Sequence, residues 1–378
     1  MREVYIITAV RSAIGRRGGV FKDTHPVHLV TPVLCEAAAR AGVEPGDVED
    51  VILGCVTPLG EQGANIARTA LLHAGFPAHV PGVSINRMCG SSQQAIHFGA
   101  QAIAAGDMDL VLAGGVEHMT RVPIGADWPP DGIPGWPYEW VHQGISAEMV
   151  AEKWGLTREM LDDYAYESHL KAAAATRAGF LEREIMPLPV EVDGQPTVAR
   201  VDEGIRMEPD RARMGTLQPA FKEGGVITAG NSSQISDGAA ALILASEEAI
   251  RRHNLRPRAR FVARAVTADD PVIMLTAPIP ATRRVLAKAK LSLDDIDLIE
   301  INEAFASVVL AWAAEIGPDM ARVNVNGGAI ANGHPLGASG AKLMTALLHE
   351  LERRGARYGL QVMCIGHGQA TATIIERV

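Results

Sequence analysis

The 378-residue chain has few cysteines, fewer basic than acidic residues, and no long hydrophobic run. The four cysteines are Cys35, Cys55, Cys89 and Cys364. Their wide spacing argues against a disulfide framework and favours reduced thiols in the cytoplasm. The chain has 35 Lys and Arg residues against 44 Asp and Glu residues, a formal net charge of −9. This balance argues against a general nucleic-acid or anionic-membrane binder, although it leaves room for a local basic patch.

No segment is long and apolar enough to predict a membrane-spanning helix. The chain begins with a short apolar run that Arg11 and Arg16 soon interrupt, and this run lacks a small-residue cleavage site. It therefore predicts a first β-strand rather than a signal peptide. Hydrophobic residues make up 47% of the chain, which excludes intrinsic disorder and provides for a large core. We expect a cytoplasmic protein that neither binds nucleic acid nor inserts into a membrane.

Two distant segments resemble each other. Residues 39–53 match residues 287–301 at an offset of 248 (287 − 39), and each predicts a helix end, an acidic turn and an apolar strand. A strand followed by glycine also recurs, beginning at Leu110 and again at Leu360. A repeat that occurs only twice predicts two homologous α/β halves, with chance similarity of two such units as the alternative.

The predicted domain organisation is two α/β halves separated by an insertion. The halves span residues 1–118, completed by about 226–256, and residues 257–378. Alternating strands and helices in each half predict a mostly parallel sheet. Residues 119–225 differ in character, because they begin with a stretch rich in proline and tryptophan. We expect this segment to form a loop domain that caps the site and carries substrate-binding residues.

One cysteine lies where a predicted strand turns into a predicted helix, in residues 86–100 (NRMCGSSQQAIHFGA). Cys89 would stand at the helix N-terminus, where free N–H groups and the helix dipole favour a thiolate and could stabilise an oxyanion. A buried structural cysteine is the commoner role, and we assign it to Cys35 and Cys55. For Cys89 the strand–turn–helix context favours a nucleophile.

Three further motifs place polar groups at glycine-rich turns or strand ends. Residues 326–342 (NGGAIANGHPLGASGAK) surround His334 with glycines, and this imidazole could be the base for Cys89. Cys364 follows a predicted strand in the motif CIGHGQ, where a second thiol could exchange protons. Asn302 ends another predicted strand, where a helix cap is the ordinary role. No HxxxH or CxxC pair supports a metal site.

Together these motifs resemble the thiolase family over essentially the whole chain. The matching segments are residues 9–15 (AVRSAIG), 86–100, 113–120 (AGGVEHMT), 228–241 (TAGNSSQISDGAAA), 302–306 (NEAFA), 333–337 (GHPLG) and 364–366 (CIG). The resemblance implies an α/β thiolase fold, in which two homologous halves stack as αβαβα layers with an inserted loop domain. It also implies a homodimer or homotetramer.

The resemblance further implies a role for each group of the site. Cys89 would be the nucleophile that carries the acyl group, and His334 would activate it. Cys364 would move a proton at the substrate α-carbon or on the leaving thiol. Asn302 would position a water that forms one oxyanion hole with His334. The backbone N–H groups of Cys89 and Gly366 would form the other, and each such donor contributes about 3 kcal/mol.

The implied reaction is CoA-dependent cleavage of a 3-ketoacyl-CoA to acetyl-CoA and a shortened acyl-CoA. Coenzyme A is then a substrate, and neither a metal nor a redox cofactor takes part. The resemblance implies that Ser233 and His142 contact the pantetheine arm, and that Phe305 and Met274 line the acyl end.

Other functions fit the residues less well. A decarboxylating ketoacyl synthase typically has histidines where this chain has Asn302 and Cys364. A non-catalytic acyl-CoA-binding relative would have lost at least one of the four catalytic side chains, and none is lost. No motif indicates a metal- or nucleotide-dependent enzyme. A short-chain acetyl-CoA acetyltransferase that makes acetoacetyl-CoA remains open as the alternative.

Four departures from the family pattern bear on the substrate. Gln143 stands where short-chain biosynthetic members carry Met, and Leu275 and Ala277 interrupt a Met-Gly-x-Gly-Pro pattern. Gln234 replaces the glycine after the CoA-binding serine. His367 replaces a glycine of the second cysteine motif, where it adds a titratable group or points to solvent. If Gln143, Leu275 and Ala277 line the acyl end, we expect a substrate longer or bulkier than acetoacetyl-CoA. The competing interpretation is that these three substitutions are neutral drift.

Overall fold

The computed structural model describes residues 2–130 and 132–378, and within them the chain forms twelve β-strands and eleven α-helices. The strands are β1 (Tyr5–Arg11), β2 (Gly15–Arg16), β3 (Asp50–Gly54), β4 (Gly82–Ile85), β5 (Leu110–His118), β6 (Leu188–Val192), β7 (Gln195–Ala199), β8 (Ser236–Ala245), β9 (Ala259–Ala268), β10 (Leu298–Ile301), β11 (Tyr358–Ile365) and β12 (Gln369–Arg377). The helices are α1 (Pro26–Ala41), α2 (Ile66–His73), α3 (Ser91–Ala105), α4 (Gln143–Lys153), α5 (Arg158–Arg177), α6 (Arg211–Gly215), α7 (Glu247–His253), α8 (Pro278–Ala289), α9 (Ala306–Ile316), α10 (Ala329–Asn332) and α11 (Ser339–Arg354). Short 3₁₀ helices occupy Pro45–Asp47, Gly60–Gln62, Met320–Arg322 and Leu336–Ala338.

The large sheet repeats one strand pattern twice. Its order is β10-β11-β12-β9-β1-β8-β5-β3-β4, with β2 paired to β8. In one half β3 runs parallel to β5, and in the other β10 runs parallel to β11. Each pair is followed by an antiparallel strand, β8 or β12. The prediction of a mostly parallel sheet is wrong, because six of the nine strand pairs described in the large sheet are antiparallel. The halves meet where β1 and β9 pair antiparallel. The residue boundaries that we assign to the halves and the loop domain stay a prediction.

Helices cover the sheet halves in three layers. The core that includes α1 and α2 lies on one face of the N-terminal half, and the core that includes α8 and α9 lies on one face of the C-terminal half. Helices α3 and α11 pack together between the halves. Strand β8 shows how the sequence builds this arrangement, because Leu242 and Leu244 face the central helices whereas Ala241 and Ile243 face α1. The predicted αβαβα fold is confirmed.

The chain between β5 and β8 lies over the site. In its described part the segment 119–142 has neither helix nor strand. Helices α4 and α5 then follow, as the helical pattern of residues 146–178 predicts. The β6–β7 hairpin was not predicted, because its strands are short and half-exposed and each contains a proline. No helix in residues 2–130 or 132–378 has the length and apolar character needed to span a membrane.

Candidate active site

Cys89 lies in the turn between β4 and α3. The helix begins at Ser91, as predicted, and Gly90 is its cap, so that Cys89 comes just before it. Met88 has a φ of 45°, a left-handed conformation that costs a side chain of this kind about 1–3 kcal/mol. The hydroxyl of Ser91 accepts from the Arg87 N–H at 2.9 Å and donates to the Met88 carbonyl at 2.6 Å. These bonds hold the strained turn and the direction of the Cys89 side chain.

The Cys89 side chain is buried, and this decides its protonation. Burial raises the pKa of the Cys89 thiol to about 12, and the nearby Cys364 acts in the same direction. The backbone N–H groups of Cys89 and Gly366 act on the sulfur and lower its pKa. These N–H groups act in the direction that the sequence predicts, towards the thiolate, but the loss of hydration opposes them and is the larger effect. Cys89 therefore needs a base to form the thiolate.

His334 has the properties of a neutral base. Ser339 donates its hydroxyl proton to the Pro335 carbonyl at 2.8 Å, so its oxygen accepts from Nδ1 of His334 at 2.5 Å. This pattern assigns the proton of the imidazole to Nδ1 and leaves the lone pair of Nε2 available. Burial, and after it the charge of Lys342, lowers the pKa of His334 to about 3.

His334, Asn302 and Cys364 come together in one buried cluster. Nδ2 of Asn302 lies 3.4 Å from Nε2 of His334 and 3.6 Å from Sγ of Cys364. Burial raises the pKa of Cys364, and the Asn302 amide opposes this effect. Oδ1 of Asn302 is buried and has no hydrogen-bond partner within the described residues. In that same part of the chain no hydrogen bond joins the His334 ring to Cys89, so the action of His334 on Cys89 stays a prediction.

Two buried glutamates hold the segments that carry these groups. Glu303, next to Asn302, accepts at 2.8 Å from the hydroxyls of Tyr164 and Ser168, and at 2.9 Å from the Asn324 amide. These bonds tie the end of β10 to α5. Glu117, at the end of β5, accepts at 2.8 Å from the N–H groups of Val56 and Gly337. It thereby links one wall of the site to the turn after His334.

Cys89 opens into a cavity of about 60 Å³, which has room for about four water molecules. The loop segment contributes Ile124, Trp128 and Trp140 to the lining, and Leu336 follows His334. Gly366 also lines the cavity, and a Cβ there would lie 2.5 Å from the Met88 sulfur, so a larger residue would displace the Met88 side chain. An apolar cavity beside a nucleophile suits the acyl part of a thioester.

The residues predicted to line the acyl end divide into two groups. Met274 and Gln143 lie in the wall of the Cys89 cavity. The prediction that Leu275 and Ala277 line the acyl end is wrong. Leu275 packs in the core beneath α4, and Ala277 packs in the outer core of the C-terminal half. Both side chains are buried in these cores, which leaves Gln143 as the one departure of the three that faces the cavity.

The other predicted contact residues lie close to one another. The Ser233 N–H donates to the Ala304 carbonyl at 2.9 Å, next to Phe305. His142 precedes the first turn of α4 and caps it. The ring of His142 stacks on Phe221 at 5.2 Å, and Phe221 in turn contacts Phe305 at 5.9 Å. Phe305 is therefore placed in this aromatic row rather than in the wall of the Cys89 cavity.

A larger cleft, of about 390 Å³, was not predicted from the sequence. Arg206, Arg213 and Gln234 line it. The Gln234 amide donates to the Gly204 carbonyl at 3.0 Å and to two carbonyls of α10 at 2.8 and 3.0 Å. The side chain that replaces a glycine thus joins the loop region to the helix before His334. Glu208 and Asp210 also line the cleft. Residues 200–213 hold four arginines and four acidic residues, so charge in the sequence gave no signal for it.

Known proteins resemble this chain over its whole length. The family descriptions "Thiolase, N-terminal domain" and "Thiolase, C-terminal domain" match residues 4–248 and 255–377. A steroid 3-ketoacyl-CoA thiolase of Mycobacterium tuberculosis is 52% identical, with 100% of this chain and 95% of that protein covered. A 3-ketoacyl-CoA thiolase of Citrobacter koseri is 43% identical over 100% of both chains. An acetyl-CoA acetyltransferase of Syntrophomonas wolfei is 41% identical over 99% of both.

A solved structure agrees with these sequence matches. The crystal structure of the Bacillus anthracis acetyl-CoA acetyltransferase matches with a TM-score of 0.94 and 40% identity. The match covers 100% of this chain and 99% of that one. Sequence and architecture therefore agree along the entire chain, including every segment that carries a group of the candidate site. This chain belongs to the thiolase family.

Proposed function

We propose that the protein cleaves a 3-ketoacyl-CoA with coenzyme A, giving acetyl-CoA and a shortened acyl-CoA, and that the reaction is reversible. The observation that carries this proposal is the convergence of two buried thiols, Cys89 and Cys364, with a neutral imidazole and the Asn302 amide. Thiolysis needs a soft nucleophile, a base and donors for two oxyanions. Relatives named 3-ketoacyl-CoA thiolase that cover the whole chain support the same reaction.

The first half-reaction loads the acyl group on Cys89. Nε2 of His334 takes the proton of Cys89, and the thiolate attacks the 3-keto carbon of the substrate. The N–H groups of Cys89 and Gly366, which already act on the sulfur, receive the negative oxygen. When this intermediate collapses, the bond between C2 and C3 breaks and its electron pair moves to C2. Cys364 gives its proton to C2, and acetyl-CoA leaves.

The second half-reaction returns the enzyme to its starting state. The thiolate of Cys364 takes the proton of coenzyme A, whose sulfur attacks the thioester on Cys89. The shortened acyl-CoA leaves, and His334 returns its proton to Cys89, so that all protons balance. During bond cleavage the protonated Nε2 can donate to the enolate oxygen. The unpartnered Oδ1 of Asn302 fits a water that donates one hydrogen to it and directs the other to the same oxygen.

Coenzyme A would extend from the Cys89 cavity to the larger cleft. Arg206 and Arg213 are our candidates for contacts with its anionic nucleotide end, in a cleft that Glu208 and Asp210 also line. Ser233 and His142 are our candidates for contacts with the pantetheine arm. The proton and acyl transfers described above use only Cys89, His334, Cys364 and coenzyme A. We therefore retain the prediction that no metal or redox cofactor takes part.

We further propose that the preferred substrate is longer or bulkier than acetoacetyl-CoA. Gln143 in the cavity wall supports this, as does the 52% identity to a protein named steroid 3-ketoacyl-CoA thiolase. The second candidate is an acetyl-CoA acetyltransferase that makes acetoacetyl-CoA. The small volume of the cavity beside Cys89, about 60 Å³, favours that alternative.

A chain-length series tests both candidates with purified protein. Acetyl-CoA formation is measured with coenzyme A and 3-ketoacyl-CoA substrates from four carbons to eight or more. We expect kcat/KM to rise along the series, with some acetoacetyl-CoA turnover retained, because one methylene changes binding by only about 1–3 kcal/mol. A steep fall from acetoacetyl-CoA would favour the acetyltransferase. No acetyl-CoA from any substrate would contradict the thiolase function and favour a non-catalytic acyl-CoA-binding protein.

We propose that the protein is a homodimer or homotetramer that uses the edge of the sheet at β4. Val83 on this strand and Phe98 on α3 are each 41% exposed. Nε of Arg87 and Oε1 of Gln94 are buried without a partner in the described part of the chain. Light scattering should give a dimer or larger species, and Val83→Lys should weaken the association of the subunits. A monomer at micromolar concentration would contradict the proposal.

The cytoplasmic location stays a prediction.

A further inference from the structure

His367 occupies the tight turn between β11 and β12, immediately after Gly366. Its φ of 55° is a conformation that glycine adopts more readily. The centroid of its ring lies 5.4 Å from that of Trp140, 5.8 Å from that of Trp136 and 6.2 Å from that of Trp128. The planes of His367 and Trp128 differ by only 29°. We call His367 and these three tryptophans the aromatic wall.

The aromatic wall borders the Cys89 cavity. Trp128, Trp140 and His367 belong to the lining, which also includes Cys89 and Gly366. Trp128 is 40% exposed and Trp140 is 39% exposed, so both offer apolar surface to a ligand. The cavity is small, about 60 Å³, so we expect an acyl group much larger than acetyl to extend across these rings.

The wall presents neutral rings to a ligand. Burial lowers the pKa of His367, which keeps its imidazole uncharged at pH 7. The other polar side chains of the lining, apart from the thiol, are the amides of Asn86 and Gln143, and neither carries a charge. An apolar acyl group can therefore cover this surface without removing water from an ion.

We propose that the aromatic wall selects 3-ketoacyl-CoA substrates whose acyl group carries a rigid ring next to the keto carbon, over linear acyl groups with the same number of carbons. A ring stacks on the wall and loses little internal freedom, whereas a linear chain gives up rotation about several bonds. His367 is then a specificity-determining residue that places an aromatic face between the tryptophans and the Cys89 turn. This inference rests on the proposed thiolase function and adds the class of acyl group.

The test compares two nine-carbon substrates, 3-cyclohexyl-3-oxopropanoyl-CoA and 3-oxononanoyl-CoA, in the same thiolysis assay. For the unmodified enzyme kcat/KM should be about tenfold higher for the ring substrate. In His367→Gly and in Trp128→Leu the ratio should fall close to one. Phe180→Leu is the control, since Phe180 is an exposed aromatic outside both the aromatic wall and the cavity lining. This control should retain the ratio of the unmodified enzyme.

The outcomes separate this inference from the function on which it rests. A ratio of one or less in the unmodified enzyme overturns the inference, and that result does not depend on the folding of any variant. A higher ratio that survives both substitutions also overturns it, because selection then comes from elsewhere. Absence of acetyl-CoA from both substrates and from acetoacetyl-CoA would instead overturn the proposed thiolase function.

Discussion

The catalytic side and the acyl side of the candidate site are held in place by different interactions. On the catalytic side, Asn302, His334 and Cys364 are buried and connected by hydrogen bonds to one another or to neighbouring turns. On the acyl side, Trp128 and Trp140 are about 40% exposed and contact one another through ring edges. Proton transfer requires fixed distances between heteroatoms, whereas substrate selection requires a surface of suitable shape. The catalytic side therefore meets the stricter geometric requirement.

The largest effect should come from removing the second thiol of the catalytic side. Cys364→Ala should lower the rate of thiolysis by a factor of about 10²–10⁴, because it removes the proton donor to carbon. Acylation of Cys89 by acetyl-CoA should persist, if more slowly. Steady-state assays and intact mass measure the two steps separately. The prediction that Cys35 is a buried cysteine is wrong, because the structure places it at an exposed position. Cys35→Ala is therefore the control that should leave both steps unchanged, and near-normal thiolysis in Cys364→Ala would contradict the assigned role.

A stability measurement sharpens the contrast between the two sides. Glu303→Ala should lower the free energy of unfolding by at least about 3 kcal/mol, since it strands several buried donors. Trp128→Leu should lower it by less than about 1.5 kcal/mol, because Trp128 is 40% exposed. Glu315→Ala, which breaks an exposed ion pair with Arg283, should change it by less than about 1 kcal/mol. Urea unfolding measures the free energy of unfolding for all three variants. Equal losses of stability in Glu303→Ala and Trp128→Leu would show that the catalytic side and the acyl side do not differ in this respect.

A smaller effect concerns pH and belongs to the catalytic side alone. Protonated His334 cannot accept the Cys89 proton, so the rate of acyl loading should fall only as pH approaches the His334 pKa of about 3. The rate should show no inflection near pH 6.5, the ordinary value for histidine. Lys342→Met removes the positive charge that helps to lower the His334 pKa. The fall in rate at acid pH should therefore occur at a higher pH in this variant. Lys342→Arg keeps the charge and should leave the fall in rate at the same pH.

The pH profile is measured as the rate of acetyl transfer from acetyl-CoA to Cys89 after a rapid pH jump. Lys342 also donates to the Asn332 side chain and, at 3.1 Å, to the Gly333 carbonyl. A lower rate at all pH values in both Lys342 variants would reflect the loss of these hydrogen bonds. A shift of the acid fall in rate to higher pH in Lys342→Met alone would reflect the loss of charge. An inflection near pH 6.5 in the unmodified enzyme would contradict the neutral, buried state of His334.

The same contrast explains what the sequence could predict. The helix after Cys89 and the strands that end at Asn302 and Cys364 follow from local patterns of glycine and apolar residues, and the structure confirms these elements. The protonation of Cys89 could not be predicted, because burial depends on the packing of both halves. The aromatic wall was also missed, since His367 and Trp128 are far apart in the chain and no periodicity relates a loop to a turn. Leu275 is an example of the opposite kind of error. The sequence analysis expects it to line the acyl end because it departs from the family motif, whereas the structure packs it in the core.

Intact mass after mixing with acetyl-CoA distinguishes the proposed roles of the two thiols, in which Cys89 carries the acyl group and Cys364 moves protons. We expect a mass increase of one acetyl group in the unmodified protein and in Cys364→Ala, located on Cys89 by peptide mapping. Cys89→Ser should abolish this thioester adduct. An adduct on Cys364 that persists in Cys89→Ser would contradict the proposed role of Cys89, because the nucleophile would then be the other thiol.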